Sequence, residues 1–183
     1  MTIKEMIDKY DIVPETKDFG RTFTGSLRVR NVKAAKKDDV VPEITRRKAE
    51  IMAYFERERR EKEEKKKYRQ DRIDNIEGLA EIKKAIREKA EWQIRFDQSF
   101  EGEGAVGGMG VGEYPKHDIE GMLQKYPKAA AYLKAEEYKA KHNIELSIIG
   151  EKALNEVIFG DYEKAMEDME RELKKFREKH LWD

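Results

Sequence analysis

Residues 56–72 read ERERREKEEKKKYRQDR, without one aliphatic side chain. Glu56/Arg60, Glu58/Lys62, Glu61/Lys65 and Glu63/Lys67 stand four apart with the acid on the N-terminal side. Each such pair adds about 0.2–0.5 kcal/mol to a helix that has no apolar face to bury. The stretch therefore predicts a charged helical connector over 56–75, of which residues 56–72 span roughly 25 Å at about 1.5 Å per residue. The apolar stripes lie on both flanks of it, so two separate modules on a helical connector are expected.

Upstream, Thr2 is suited to cap a short helix whose Ile3, Met6, Ile7 and Tyr10 recur at helical spacing. Asp11 to Pro14 should end it. Residues 21–30, RTFTGSLRVR, alternate β-branched and aromatic with polar residues around Gly25, the pattern of a small hairpin. Asn31 to Asp39 has room for one or two helical turns. Pro42 suits the first position of a long helix carrying Ile44, Ile51, Met52 and Phe55. The whole predicts an α-β-hairpin-α unit over 1–55.

Downstream, Asp74 and Asn75 loosen the helix, and a new stripe follows through Ile76, Leu79, Ile82, Ile86, Ala90 and Ile94, with Trp92 and Phe96 beside it. Residues 101–112, EGEGAVGGMGVG, predict a flexible glycine-rich loop. Asp118, Pro127, Asn143 and Asp161 then suit the starts of four helices, and Gly160 suits a stop. In the last helix Tyr162, Met166, Met169, Leu173, Phe176 and His180 recur at steps of four and three. Read alone, that seam is exposed and asks for a second copy, so a homodimer is expected. The fold class is mostly α (α+β), with a C-terminal helical bundle over 76–183.

Composition narrows the function. Charged residues are 43% of the chain and hydrophobic residues 38%, so cores must be small relative to surface. Cysteine is absent, which excludes disulfides, thiolate metal sites and a cysteine nucleophile. No apolar run is fit to span a membrane or serve as a signal peptide, so a cytoplasmic location in a host cell is expected. Formal net charge is zero, but 21 basic and 15 acidic residues precede position 73, and 18 basic and 24 acidic follow.

Gly102, Gly104 and Gly107 spell GxGxxG, but a helix precedes them where a dinucleotide fold has a strand. His117, His142 and His180 lack a second ligand at metal spacing. Adjacent acids such as Glu136/Glu137 and Glu167/Asp168 point different ways on a helix, unlike an enclosed acid/base pair. No catalytic residue, cofactor or metal is expected, and the chain reads as a non-enzymatic binding protein. Candidate contacts are two groups. Arg21, Arg28, Arg30, Lys33, Lys36, Lys37, Arg46, Arg47 and Lys48 form a basic cluster able to meet phosphates or an acidic partner, DNA among them. Tyr132, Lys134, Tyr138, Lys139 and Lys141 set two tyrosines among lysines at helical spacing, as an interface or as core.

Two resemblances add to this. A leading helix with Ile3, Met6 and Ile7, a ribbon whose second strand reads Ser26-Leu27-Arg28-Val29-Arg30, and helices through Pro42-Glu43-Ile44 and Lys48 to Phe55 resemble the N-terminal docking domains of hybrid peptide/polyketide synthetases. That resemblance implies capture of a partner's short linear segment beside the ribbon, a β-augmentation. Asn75-Ile76-Glu77-Gly78-Leu79, Tyr126 through Glu136, and Gly160-Asp161-Tyr162-Glu163-Lys164-Ala165 through Asp183 resemble phage and mobile-element type II-A anti-CRISPR proteins. The resemblance implies an inhibitor that binds the Cas9–guide RNA complex and blocks target-DNA engagement or cleavage.

Overall fold

The computed structural model describes residues 1–17, 22–100 and 111–180. The chain divides into two compact units, Met1–Tyr68 and Arg69–Asp183. Among the described residues it is mostly helical, with one two-stranded antiparallel ribbon. No helix among them is long and apolar enough to cross a membrane.

In the first unit, α1 (Ile3–Tyr10) opens on a capping box: the Glu5 amide donates to Thr2 Oγ1 and the Thr2 amide to the Glu5 carboxylate, at 3.2 and 2.8 Å. Asp11, left-handed at φ 48°, closes the helix and turns the chain into β1 (Ile12–Lys17). β1 pairs with β2 (Thr22–Val29), Ile12 opposite Val29 and Thr16 opposite Phe23. This corrects the expected hairpin within 21–30. Residues 22–29 are one strand, and its partner is the stretch read as the end of α1. Gly25, at φ 79°, lies in the irregularity that leaves Glu15 facing residues 24–26, so the turn signal marks a bulge.

α2 (Val32–Lys37) and α3 (Val41–Arg46) precede α4 (Lys48–Asp74). The single long helix expected from Pro42 is thus two. The backbone leaves helical geometry at Arg47 (φ −94°, ψ 13°), and Pro42 sits second in α3. Met6, Tyr10, Ile12, Ala35, Val40, Ile44 and Ile51 form the core, with Leu27, Val29 and Phe55 against it. The Tyr10 hydroxyl donates to Asp38 at 3.0 Å and Lys9 pairs with the same carboxylate at 2.8 Å. These bonds, Lys9's first, hold Asp38 below the usual carboxylate range.

Along α4, residues 60–68 are all exposed. Of the four ion pairs expected there, Glu58/Lys62 forms, at 3.9 Å. Arg57 turns instead to Glu61 and Arg59 to Glu63, at 3.9 and 3.8 Å. Arg59 also lies over the Phe23 ring at 4.8 Å, so the connector stretch begins within the packing of the first unit.

In the second unit, α5 (Leu79–Gln98), α6 (Ile119–Lys125), α7 (Pro127–Lys139), α8 (Ile144–Phe159) and α9 (Tyr162–His180) share one core. Asp118 and Asn143 accept from the third backbone amide after them, and Asp161 caps α9 through Glu163 and Lys164. Ala129, Ala131 and Ala135 of α7 bring the backbone of α8 close. A Cβ at Gly150 would stand 2.1 Å from the Lys139 nitrogen and 2.8 Å from the Ala135 carbonyl oxygen. Two expectations are corrected. The α9 seam is not left open: Ala165, Met169 and Leu173 are buried in the chain's own core, with Tyr162 and Met166 packed on it. The α5 stripe, conversely, is buried only through Leu79, Ile82 and Ala85, and Ile86 and Ile94 are exposed.

Candidate partner-binding edge

An antiparallel pair alternates residues bonded to the neighbouring strand with residues whose amides face away. The Arg30 amide donates to the Asp11 carbonyl at 3.0 Å, which makes 11/30 a bonded pair and, two residues on, 13/28 another. Leu27 and Val29 therefore turn their N–H and C=O groups to the outer edge of β2. Pro14, opposite Leu27, fits the same phase, because its missing N–H lies on an outer edge.

A cleft of about 360 Å³ runs along this edge, lined by Ser26, Leu27 and Val29 from β2, Val41, Ile44 and Thr45 from α3, and Lys48. Its walls are apolar where Val41 remains about half exposed, and its end carries a cation. An added strand would find two outward backbone donors and acceptors and a slot for alternate side chains. The opposite face of the ribbon carries Arg28 and Arg30 with Glu15, Thr16 and Thr24.

The basic candidates divide by what holds them. Arg28 reaches Glu15 at 3.1 Å, Arg46 pairs with Glu43 at 2.6 Å, and Arg47 pairs with Glu50 and donates to the Met1 carbonyl, both at 3.0 Å. Arg30, Lys33, Lys36, Lys37 and Lys48 have no ion pair among the described residues. Arg21 lies outside the described residues, as do Gly102, Gly104 and Gly107 and nearly all of the glycine-rich stretch.

The other candidate group belongs to the second unit and is engaged there. Tyr132 is buried and its hydroxyl donates to Glu136 at 3.2 Å, while Lys83 binds the same carboxylate at 2.9 Å. Burial, then the Glu136 charge, pushes the Tyr132 phenol up to about 12. Lys134 pairs with Glu170 at 2.9 Å, Lys139 with Glu151 at 2.5 Å, and Lys141 with Glu137 at 2.8 Å. Tyr138 packs half-buried against the core. Glu151 also meets Arg69, which donates to Asn155. Its carboxyl is held below the usual range, first by Lys139.

Sequence reasoning missed Leu27, Val29, Val41 and Thr45 as a cleft. The available signal was Val41, an apolar residue beside a helix-starting proline with no stripe to join. Among the described residues no three His, Asp or Glu side chains are grouped to hold a metal. No family model, curated protein or solved structure matches the chain.

Proposed function

We propose that this chain is a non-enzymatic binding protein that captures an extended segment of a partner protein along the outer edge of β2. The observation that carries the reading is the juxtaposition of the outward Leu27 and Val29 amides with the cleft beneath them. Backbone bonds supply affinity in such an arrangement, and the cleft selects alternate side chains. Inward positions of the segment would be small and apolar, to fill the space between Leu27, Val29 and Val41. Acidic groups elsewhere on it would meet Arg30 and Lys48. Binding to a DNA backbone has less support, since Arg28, Arg46 and Arg47 are already matched to carboxylates.

Selection of peptides from a random display library on the immobilised chain tests this. Val29→Pro should leave the ribbon intact, because the lost N–H faces outward, yet abolish capture. Equal capture by that variant counts against the edge. The Cas9–guide RNA complex, the partner implied by resemblance, is tested separately by titrating purified chain into target cleavage. Unchanged cleavage at large molar excess across several type II-A orthologues removes that partner and leaves the edge reading standing.

A further inference from the structure

We infer that the C-terminal half of α5 is a self-recognition surface on which two copies of the chain pair antiparallel about Gln93. Past Ala85 the helix buries none of its apolar residues fully. Ile86 is 41% exposed, Ile94 55%, and Phe100, just beyond the helix, 58%. Trp92 stacks on Phe96 at 4.8 Å and Phe96 meets Phe100 edge-on at 4.9 Å. The flank by Trp92 is occupied within the chain. Its indole N–H donates to the Gly112 carbonyl at 3.1 Å, Tyr114 packs edge-on at 5.0 Å, and His117 meets Glu88 at 2.5 Å. Among the described residues, the face left open is the one that carries Ile86, Lys89, Ala90, Gln93, Phe96 and Asp97, which fall together at about 3.6 residues per turn, with Phe100 just past the helix end.

That face is chemically self-complementary about its midpoint. Positions 86 and 100, 89 and 97, and 90 and 96 are each equidistant from 93. A two-fold axis through Gln93 sets Ile86 level with Phe100 of the second copy, Lys89 with Asp97, and Ala90 with the bulk of Phe96. The two Gln93 amides meet on the axis, where each can donate to the other. Parallel pairing would instead set Lys89 on Lys89 and Asp97 on Asp97. Among the described residues both charges can change partner: the Asp97 carboxylate accepts only from Gln93, at 2.7 Å, and Lys89 lies over the Tyr114 ring at 5.4 Å and makes no ion pair. An isologous contact requires such a self-matched patch, and a foreign partner would not. The surface is distinct from the α9 seam and independent of the β2 edge.

The chain has no cysteine, so introduced ones report alone. In the full chain Gln93→Cys should oxidise readily to a disulfide-linked dimer. Lys89→Cys by itself should not, and an equimolar mixture of Lys89→Cys with Asp97→Cys should. Sedimentation equilibrium should show the unmodified chain dimerising. Lys89→Asp and Asp97→Lys should each weaken the dimer by about tenfold or more, and combining them in one chain should restore it. None of the sites is buried, and circular dichroism checks that each variant keeps its helices. A monomer at every accessible concentration, a dimer indifferent to either reversal, or cross-linking of Cys at 89 as fast as at 93 would overturn the proposal.

Discussion

The lysines singled out in the two units are held differently. Lys134, Lys139 and Lys141 in the second unit each end on a glutamate, while Lys33, Lys36, Lys37 and Lys48 in the first have no carboxylate within ion-pair distance among the described residues. A charge matched at home stabilises its own fold slightly and has little left for a partner. An unmatched one contributes little to folding and remains free to steer. The tyrosines divide the same question: Tyr132 is core with a bonded hydroxyl, so spacing among lysines marked packing, not a contact face.

The largest effects should come from breaking the second unit's packing. Gly150→Ala forces a methyl onto the α7 backbone and should cost about 2–4 kcal/mol by denaturant unfolding. Met169→Glu, burying an unpaired charge, should cost at least as much. Neither should weaken peptide capture at β2 wherever the chain remains folded. If capture falls in step with the stability of the second unit, the functional separation drawn between the two sets of charges fails.

Tyr132 gives the next largest signal. Its folded phenol titrates near 12, above the ordinary tyrosine value of about 10. Stability contributed by the neutral hydroxyl is therefore complete below about pH 10 and is lost as pH rises toward 12. An ultraviolet titration should show one of the eight tyrosines ionising late, and Tyr132→Phe should remove that step. Glu151 works in the opposite direction. Its lowered value means stability present above the usual carboxylate range and lost as pH falls through the folded value. Lys139→Met should shift that acid transition upward.

Much of the fold was legible in the sequence because caps are local. Thr2, Asp118, Asn143 and Asp161 each announce a helix through one side chain and the amides just after it. Pairing is not local. β1 was hidden because Asp11 to Pro14 read as a helix stop, while the alternation of β2 was strong enough to pass for two strands. The burial of α5 failed for a similar reason: periodicity continues to Ile94, but the core it would join ends at Ala85. The cleft joins Ser26, Leu27 and Val29 of β2 to Val41, Ile44, Thr45 and Lys48 of α3 and α4, which lie well apart in the chain, so no motif could reveal it. The basic residues around it were visible as a cluster, although which were already paired was not.

The smallest stability effect should carry the sharper functional one. Lys36→Ala with Lys37→Ala should change unfolding free energy by less than about 0.5 kcal/mol, as exposed unpaired charges do. The same change should slow peptide association and flatten its dependence on salt. An unfolding cost above about 1 kcal/mol would show these lysines to be structural after all.

Amide hydrogen exchange by NMR, with and without a peptide selected on the chain, tests capture along β2 residue by residue. The Leu27 and Val29 amides, which face the outer edge, should exchange markedly more slowly in the complex. Arg28 and Arg30, already bonded within the ribbon, should change little. Protection that skips Leu27 and Val29, or that appears only in the second unit, would contradict capture along β2.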